Sequence, residues 1–284
     1  MGADEVSASE IEIKGRQIDL NGRKVTLIEE GTGEPIVYLH GFADVHGVAG
    51  DLLAFHKALA GMGKLIVPAH PGCNGSDELE DGTSVEDVVF HYLELFDALG
   101  LGQFTLVGHC VGGWIAAEIA VRHPERVKKL VLIGACGLFV SGELIEDIFM
   151  HAQPERGVDY KTLRNMLFSS STAADALRYF PDGRGDLDEE TRRYAMLRFG
   201  SFVGFKPPYF YNRSLINRLH RAAMPSIVLW GEHDHMVPRA HGEAYACGLK
   251  GATDLQIVAG AGHAAVLEGE AAVGKAVGAF FKMP

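Results

Sequence analysis

A cysteine stands at the centre of the motif in this chain that is best suited to do chemistry. Residues 108–113 read GHCVGG, directly after the apolar run 104–107 and directly before the helix-forming stretch 114–120. A strand that turns sharply into a helix holds its apex residue strained and exposed, and only small neighbours leave room for that turn. A helix N-terminus also favours a thiolate over a thiol. The pattern predicts a nucleophilic Cys110, the alternative being a buried cysteine in a glycine-rich turn.

Candidates for the partners of this thiol lie in two later loops. A thiol nucleophile needs a base within hydrogen-bond reach, and that base needs an acid to fix its tautomer. His263 ends the glycine-rich segment 260–263 (GAGH), and Asp234 lies in the segment 231–238 (GEHDHMVP) after an apolar run. In open α/β sheets, catalytic groups gather at the carboxyl ends of strands. We therefore expect Cys110, His263 and Asp234 to form a catalytic triad.

The elements that must position these residues alternate between strand and helix. Asn21-Gly22 joins two alternating segments and predicts a tight hairpin over residues 11–29. Six further strands are predicted at 36–39, 64–67, 104–107, 130–133, 226–230 and 255–258, with helices at 51–60, 84–99, 114–122, 239–247 and 270–281. Such alternation requires right-handed crossovers and a mostly parallel sheet. The expected fold class is α/β, with an eight-stranded sheet flanked by helices.

The alternation stops between Gly137 and residue 222. Residues 138–221 contain no convincing strand and five helical segments, at 143–151, 160–168, 173–180, 189–199 and 211–221. The simplest interpretation is a helical cap, residues 138–221, inserted into a core made of residues 1–137 and 222–284. Because ligand pockets are mostly apolar, we expect aromatic residues of the cap to bind substrate, namely Phe168, Phe199 and Phe205. Arg193 or Arg198 could hold a substrate carboxylate, but a solvated helix face also accounts for both.

Composition narrows the class of partner. The net charge of −11 over 284 residues argues against nucleic acid, and no apolar run approaches the roughly 20 residues of a membrane helix. The polar start, residues 1–10, is unlike a signal peptide. Four scattered cysteines without a CxxC pair favour a reduced, cytoplasmic protein with no disulfide framework and no metal site. We expect no cofactor, a small-molecule substrate with an apolar or aromatic acyl group, and a monomer or homodimer.

Five sequence blocks together carry a resemblance to a known family. They are residues 40–42 (HGF), 70–76 (HPGCNGS), 108–113, 231–238 and 260–263. With these blocks in this order, the chain resembles a capped, esterase-like or C–C-hydrolase-like enzyme of the α/β-hydrolase fold over essentially its whole length. The resemblance implies an oxyanion hole formed by the backbone N–H groups of Phe42 and Val111. His109 and His40 are further candidates for substrate contact, with packing and loop support as the alternatives.

The chain departs from that family in having cysteine where serine is usual. Three explanations stay open: a naturally thiol-dependent enzyme, as in the dienelactone hydrolases and polyester synthases of this fold, an engineered replacement of serine, or an inactive scaffold. Because thiolate is itself a good leaving group, a Cys110 enzyme suits esters, lactones and thioesters better than amides. The sequence favours hydrolysis through an acyl-cysteine intermediate. Acyl transfer of the polyester-synthase kind, C–C bond hydrolysis and a non-enzymatic ligand receptor are the alternatives.

Overall fold

Eight strands form one sheet. The computed structural model describes residues 15–44, 52–79, 84–151, 159–182, 187–204 and 210–283. The strands are β1 Arg16–Leu20, β2 Arg23–Glu30, β3 Pro35–Leu39, β4 Lys64–Pro68, β5 Phe104–His109, β6 Val127–Ile133, β7 Ser226–Gly231 and β8 Gln256–Val258. Their order is β1-β2-β4-β3-β5-β6-β7-β8, and only the β1–β2 and β2–β4 pairs are antiparallel. The predicted eight-stranded, mostly parallel sheet is confirmed.

The hairpin that opens the sheet turns at the predicted pair. Asn21 and Gly22 have φ values of 56° and 85°, the positive values that a two-residue turn between twisted strands requires. Asp19 closes the turn, since its Oδ1 accepts a hydrogen bond from the Gly22 N–H at 3.0 Å. The strand before the turn begins at Arg16, and the predicted strand residues 11–14 lie outside the described part of the chain.

Helices follow most of the strands, as the alternation predicts. They are α1 Ala54–Ala60, α2 Val85–Ala98, α3 Val111–Arg122, α4 Tyr160–Leu167, α5 Ala174–Tyr179, α6 Leu187–Gly204, α7 Arg239–Gly248, α8 Ala265–Glu268 and α9 Glu270–Phe281. Helix α2 begins with a capping box, in which Ser84 and Asp87 each accept the other's backbone N–H. The first helix begins at Ala54, later than the predicted residue 51, which lies outside the described residues.

Three of the helices, α4, α5 and α6, lie between β6 and β7, where the sequence predicts a cap. Two of the predicted helices there are wrong: only the short 3-10 helices Ile148–His151 and Ile216–Arg221 form in place of 143–151 and 211–221. The second begins late because Gly137 donates its N–H to Phe210 and accepts the N–H of Asn212, which keeps that stretch extended. The division into core and cap at residues 138 and 221 stays a prediction.

Helix α3 packs so closely on the centre of the sheet that the two backbones are in contact. Strand β5 lies between β3 and β6 and is buried throughout. A Cβ added to Gly112 would overlap the carbonyl oxygen of Leu39, and one added to Gly113 would lie 2.6 Å from the Cβ of Ala135. Glycine is therefore required in the first turn of α3, because any side chain would push the helix away from the sheet.

The substitution Gly112→Ala tests this close packing. We expect it to lower the free energy of unfolding by about 1–3 kcal/mol, because the added methyl group has no space. Gly274→Ala in α9 is the matched control, since its Cβ would meet Ala58 at an ordinary 3.7 Å and the change removes a glycine from a helix. Urea unfolding measures both. Equal stability of the two variants would contradict the packing described above.

Candidate active site

Cys110 occupies the sharp turn between β5 and α3. Its φ of 55° and ψ of −120° are values that a residue with a side chain rarely adopts. Hydrogen bonds hold this conformation: the Cys110 N–H donates to Ile133 at 3.0 Å, and its carbonyl accepts from Trp114 and Cys136, each at 3.1 Å. The side chain is fully buried. The turn therefore fixes the thiol at the N-terminus of α3.

His263 and Asp234 meet next to this turn. The histidine follows β8 and the aspartate follows β7, and His263 Nδ1 lies 2.8 Å from Asp234 Oδ2. The other carboxylate oxygen accepts the N–H groups of Met236 and Val237 at 3.0 and 2.8 Å, which fixes the carboxylate. Both side chains are buried. Since the carboxylate accepts, Nδ1 carries a proton and the imidazole ring is held in one orientation.

The remaining nitrogen of His263 is available to the thiol. Nε2 is buried and has no hydrogen-bond partner among the described residues. Burial opposes ionisation of Cys110, but a hydrogen bond with Cys136 and the charge of His263 outweigh it and hold the pKa of the Cys110 thiol well below its usual value. Burial likewise lowers the pKa of His263, but Asp234 and Cys110 raise it well above the usual value. The two groups therefore favour a thiolate–imidazolium pair.

A second histidine–aspartate pair lies behind the turn, and sequence reasoning missed its acid. Asp44 accepts hydrogen bonds from Tyr38 Oη at 2.5 Å, Gly41 N–H at 2.7 Å and His109 Nδ1 at 2.8 Å. His109 Nε2 lies 2.9 Å from the carbonyl oxygen of His263. Because both ring nitrogens face acceptors, this geometry favours a ring that is protonated at both nitrogens. Burial lowers the pKa of His109, but Asp44 outweighs it and the pKa is raised.

The loop after β3 crosses directly over Cys110. A Cβ added to Gly41 would lie 2.5 Å from the Cβ of Cys110, so the backbone before Phe42 is in contact with Cys110. Val111 is the first residue of α3 and follows the thiol. Neither the Phe42 nor the Val111 amide donates a hydrogen bond to another described residue. Their role as an oxyanion hole stays a prediction, and this geometry is compatible with it.

A cavity of about 290 Å³ adjoins the loop at Phe42. Its other walls come from the segment between β6 and β7: Ile148, Tyr160, Leu163, Leu167, Phe180, Glu190, Thr191, Arg193, Tyr194, Met196 and Leu197. The Phe42 ring also packs against Phe149 and Phe210, with ring centroids 6.2 Å away in both cases. Cys110 is not among the described residues that line the cavity. Phe42 thus belongs to the cavity wall, and its neighbour Gly41 contacts Cys110.

The described residues that were predicted to bind substrate do not line this cavity. Phe205 lies outside the described residues, and the other four, His109, His40, Phe168 and Phe199, are buried and do not form part of the wall. His40 supports its own loop, since its Nε2 accepts the N–H of His70 at 3.2 Å, and burial lowers the pKa of His40 to about 4. Phe199 stacks on His70, and Phe168 packs edge-on against Phe180. Their substrate contacts stay predictions.

The described residues contain neither a metal-binding cluster nor a helix that could span a membrane. No group of three or more histidine, cysteine, aspartate or glutamate side chains in the described ranges is placed to hold a metal ion. Within those ranges, no helix has both the length and the apolar character needed to cross a membrane.

The ion pair predicts how alkylation of Cys110 depends on pH. A thiolate exists above the pKa of its thiol, so a lowered pKa extends reactivity with iodoacetamide to lower pH. We expect Cys110 to react at nearly constant rate through neutral and mildly acidic pH. In His263→Ala the rate should fall at neutral pH and rise only towards about pH 8.5, the usual thiol range. Mass mapping of the Cys110 peptide gives the rate, with Cys110→Ala as the blank. A wild-type rate that rises only above neutral pH would contradict the thiolate–imidazolium pair.

Comparisons with known proteins agree with this fold. A family model described as alpha/beta hydrolase fold matches residues 34–270. A 2-hydroxy-6-oxononadienedioate/2-hydroxy-6-oxononatrienedioate hydrolase of Burkholderia vietnamiensis is 30% identical over 250 residues, which are 83% of this chain and 83% of that protein. The dihydrolipoyllysine-residue acetyltransferase component of the acetoin cleaving system of Cupriavidus necator is 28% identical over 261 residues, 88% of this chain and 64% of that protein.

Several other curated relatives are matched over less than half of their length, for example 44% and 36%. Among solved structures, the meta-cleavage product hydrolase of Pseudomonas fluorescens IP01 superposes with a TM-score of 0.71 at 21% identity, covering 94% of this chain and 97% of that one. At that identity the likeness shows the fold alone. The family model, which spans most of the sequence, establishes that the chain belongs to the alpha/beta hydrolase fold family.

Proposed function

We propose that this protein is a hydrolase that cleaves an ester, a lactone or a thioester through an acyl-cysteine intermediate. Cys110 is the nucleophile, His263 the acid and base, and Asp234 the group that orients the histidine. The observation that carries the proposal is the His263 ring, which is hydrogen-bonded to Asp234 through Nδ1 and has a buried Nε2 without a partner among the described residues. The charge of this ring also lowers the pKa of the Cys110 thiol. The reduced thiol that this chemistry needs fits a cytoplasmic location.

Acylation follows from the thiolate–imidazolium pair. The Cys110 sulfur attacks the carbonyl carbon, and the negative charge that forms on the carbonyl oxygen is accepted by the amides of Phe42 and Val111. The carbon–oxygen or carbon–sulfur bond to the leaving group then breaks. His263 Nε2 gives its proton to the departing atom, so that the leaving group departs as an alcohol or thiol. An acyl thioester on Cys110 and a neutral His263 are left.

Deacylation returns the site to its starting state. A water molecule gives a proton to the neutral imidazole of His263 as its oxygen attacks the thioester carbon. The carbon–sulfur bond breaks, and the sulfur leaves as the thiolate that the imidazolium stabilises. The product is a carboxylic acid, whose proton is lost to solvent at neutral pH. Asp234 keeps its charge throughout and holds the ring.

The cavity next to Phe42 is the proposed binding site for the acyl group. Its walls are mainly aliphatic and aromatic, which favours an apolar or aromatic group. Three polar residues, Glu190, Thr191 and Arg193, interrupt these walls. The Arg193 side chain is only 4% exposed, and its Nη1 donates to the Tyr179 carbonyl at 2.8 Å. Its Nε and Nη2 are buried without a hydrogen-bond partner among the described residues. Because buried donors are costly to leave unpaired, we infer that the substrate presents an acceptor here, best a carboxylate.

The acyl-enzyme can be detected directly. We expect brief exposure to 4-nitrophenyl acetate at neutral pH to increase the intact mass by one acetyl group, located on Cys110, and to release 4-nitrophenol with turnover. Cys110→Ala should do neither, because it has no nucleophile. His263→Ala should lower the acylation rate by at least about 100-fold, the scale of a general acid–base contribution.

The same experiment separates the remaining alternatives. An acetyl group on another residue, or acylation that persists in Cys110→Ala, would contradict the assignment. An adduct that forms once and never turns over would favour a ligand receptor. Turnover that needs an added alcohol or thiol as acceptor would favour acyl transfer.

Cleavage of a carbon–carbon bond is a second candidate function. The Burkholderia vietnamiensis relative is named as a hydrolase of 2-hydroxy-6-oxo diacids, and Arg193 offers a buried guanidinium to a carboxylate. Such a reaction needs a proton delivered to carbon before the bond breaks, in addition to the steps above. Incubation with a vinylogous 1,5-diketone acid, compared with its ester analogue, distinguishes the two functions.

Arg193 should matter most for substrates that carry a distal carboxylate. In Arg193→Met we expect kcat/KM for an ester with a distal carboxylate to fall by about 10–100-fold, the loss of one charge-assisted hydrogen bond, and kcat/KM for the matching uncharged ester to change little. Arg198→Met is the matched control, since Arg198 is on the same helix, is 45% exposed and pairs with Glu78. Equal losses for both esters would mean that Arg193 only supports the fold.

A further inference from the structure

A second thiol lies beside the proposed nucleophile. Cys136 Sγ is 3.9 Å from Cys110 Sγ, and both side chains are fully buried. The Cys136 N–H donates to the Cys110 carbonyl at 3.1 Å, so the backbones of the two residues are adjacent. Standard bond lengths then limit their Cα atoms to a separation of at most about 7 Å. This is within the range that a disulfide can span without moving the backbone elements apart.

The remaining approach has to come from the two cysteine side chains, because the backbone around Cys136 is held. A bond between the sulfurs requires a separation of about 2.05 Å, so side-chain rotation must bring them closer than in the reduced state. Cys136 follows β6 in a loop between Gly134 and Gly137, whose φ values are 51° and 103°. The loop is held through its backbone: the Cys136 N–H donates to Cys110, the Cys136 carbonyl accepts a hydrogen bond from Tyr245 Oη at 2.5 Å, and Gly137 pairs with Phe210 and Asn212. These bonds use main-chain atoms, and the Cys136 Sγ itself contacts the Cys110 Sγ.

The two sulfurs differ in acidity, and this difference determines which of them an oxidant attacks first. Cys110 is the more acidic and hence the one that reacts with an oxidant. The hydrogen bond with Cys110, and then burial, raise the pKa of Cys136 well above its usual value, so Cys136 is a thiol beside a thiolate. Low-pKa cysteines with a second cysteine close by are typical of sites that oxidise reversibly.

We propose that Cys110 and Cys136 form an intramolecular disulfide when the protein meets a peroxide. The Cys110 thiolate attacks one oxygen of hydrogen peroxide, whose oxygen–oxygen bond breaks; the sulfur is oxidised to a sulfenic acid, and the other oxygen leaves as hydroxide. The Cys136 sulfur then attacks the sulfenic sulfur, the sulfur–oxygen bond breaks, and with the thiol proton the oxygen leaves as water. The disulfide blocks the nucleophile, protects it from further oxidation, and is reversed by a dithiol.

This pairing is independent of the reaction that Cys110 performs on substrates. It needs only the reactivity of one thiol and the nearness of the other. It is also specific to Cys136, because Cys73 is buried at the end of another loop and Cys247 is exposed on α7. Those two cysteines provide internal references for non-specific oxidation.

The test is mass spectrometry of the full chain without substrate. After treatment with a small excess of hydrogen peroxide at neutral pH, we expect the wild-type protein to lose two hydrogen atoms and to yield a linked peptide pair containing Cys110 and Cys136. Dithiothreitol should restore the original mass. In Cys136→Ala we expect two or three added oxygen atoms on Cys110 that dithiothreitol does not remove. Cys73→Ala is the matched control and should behave as wild type.

Other results would overturn the proposal. If the wild-type protein accumulated sulfinic or sulfonic acid on Cys110, or linked its chains through Cys247, then Cys110 and Cys136 would not form the proposed disulfide. If Cys136→Ala does not fold, the linked peptide in wild-type protein still decides the question. Because the readout is mass and not turnover, failure here leaves the acyl-cysteine assignment untouched, and failure of acylation leaves the disulfide test unchanged.

Discussion

The site depends on how closely the first turn of α3 approaches the middle of the sheet. Gly112 lies against the backbone of Leu39, and that contact sets the angle at which β5 turns into the helix. The turn places Cys110 at a φ of 55°, a conformation that costs about 1–3 kcal/mol. Burial of α3 along most of its length and the hydrogen bonds around Cys110 offset that cost. Without this contact the thiol would point in another direction, and it would no longer lie next to the loops of His263 and Phe42.

Two histidine–aspartate pairs flank the thiol, and their surroundings give them different properties. In the His263–Asp234 pair, one ring nitrogen stays unpartnered among the described residues, so a proton there can be given and regained. In the His109–Asp44 pair, both ring nitrogens face acceptors, an arrangement that favours the protonated ring. The first pair has the properties of an acid–base group. In the second pair, the buried Asp44 carboxylate joins β3, the loop of Gly41 and His109, and His109 Nε2 links this group to the loop of His263.

Local sequence patterns predicted the sheet, the Asn21-Gly22 turn and the turn at Cys110, since each depends on residues that are neighbours in the chain. They also indicated the loops of His263 and Asp234, because both follow predicted buried strands. Contacts between distant segments gave no such signal. In the sequence, nothing distinguishes Asp44 from other acidic residues in loops. The 3.9 Å distance between the Cys136 and Cys110 sulfurs depends on the alignment of β5 with β6. The cavity wall was missed for the same reason, because the directions of side chains on α4 and α6 are set by packing.

Phe42 belongs both to the loop that touches Cys110 and to the cavity wall, and this double position affects selectivity. Its amide lies in the loop that touches Cys110, while its ring forms part of the cavity wall and packs on Phe149 and Phe210. Under the proposed mechanism, an acyl group that fits the cavity badly displaces the ring and carries the amide away from the developing oxyanion. Poor substrates would then bind but react slowly, so discrimination among acyl chains would be expressed in turnover and not in affinity. Such a protein would be inhibited competitively by the very compounds it handles worst.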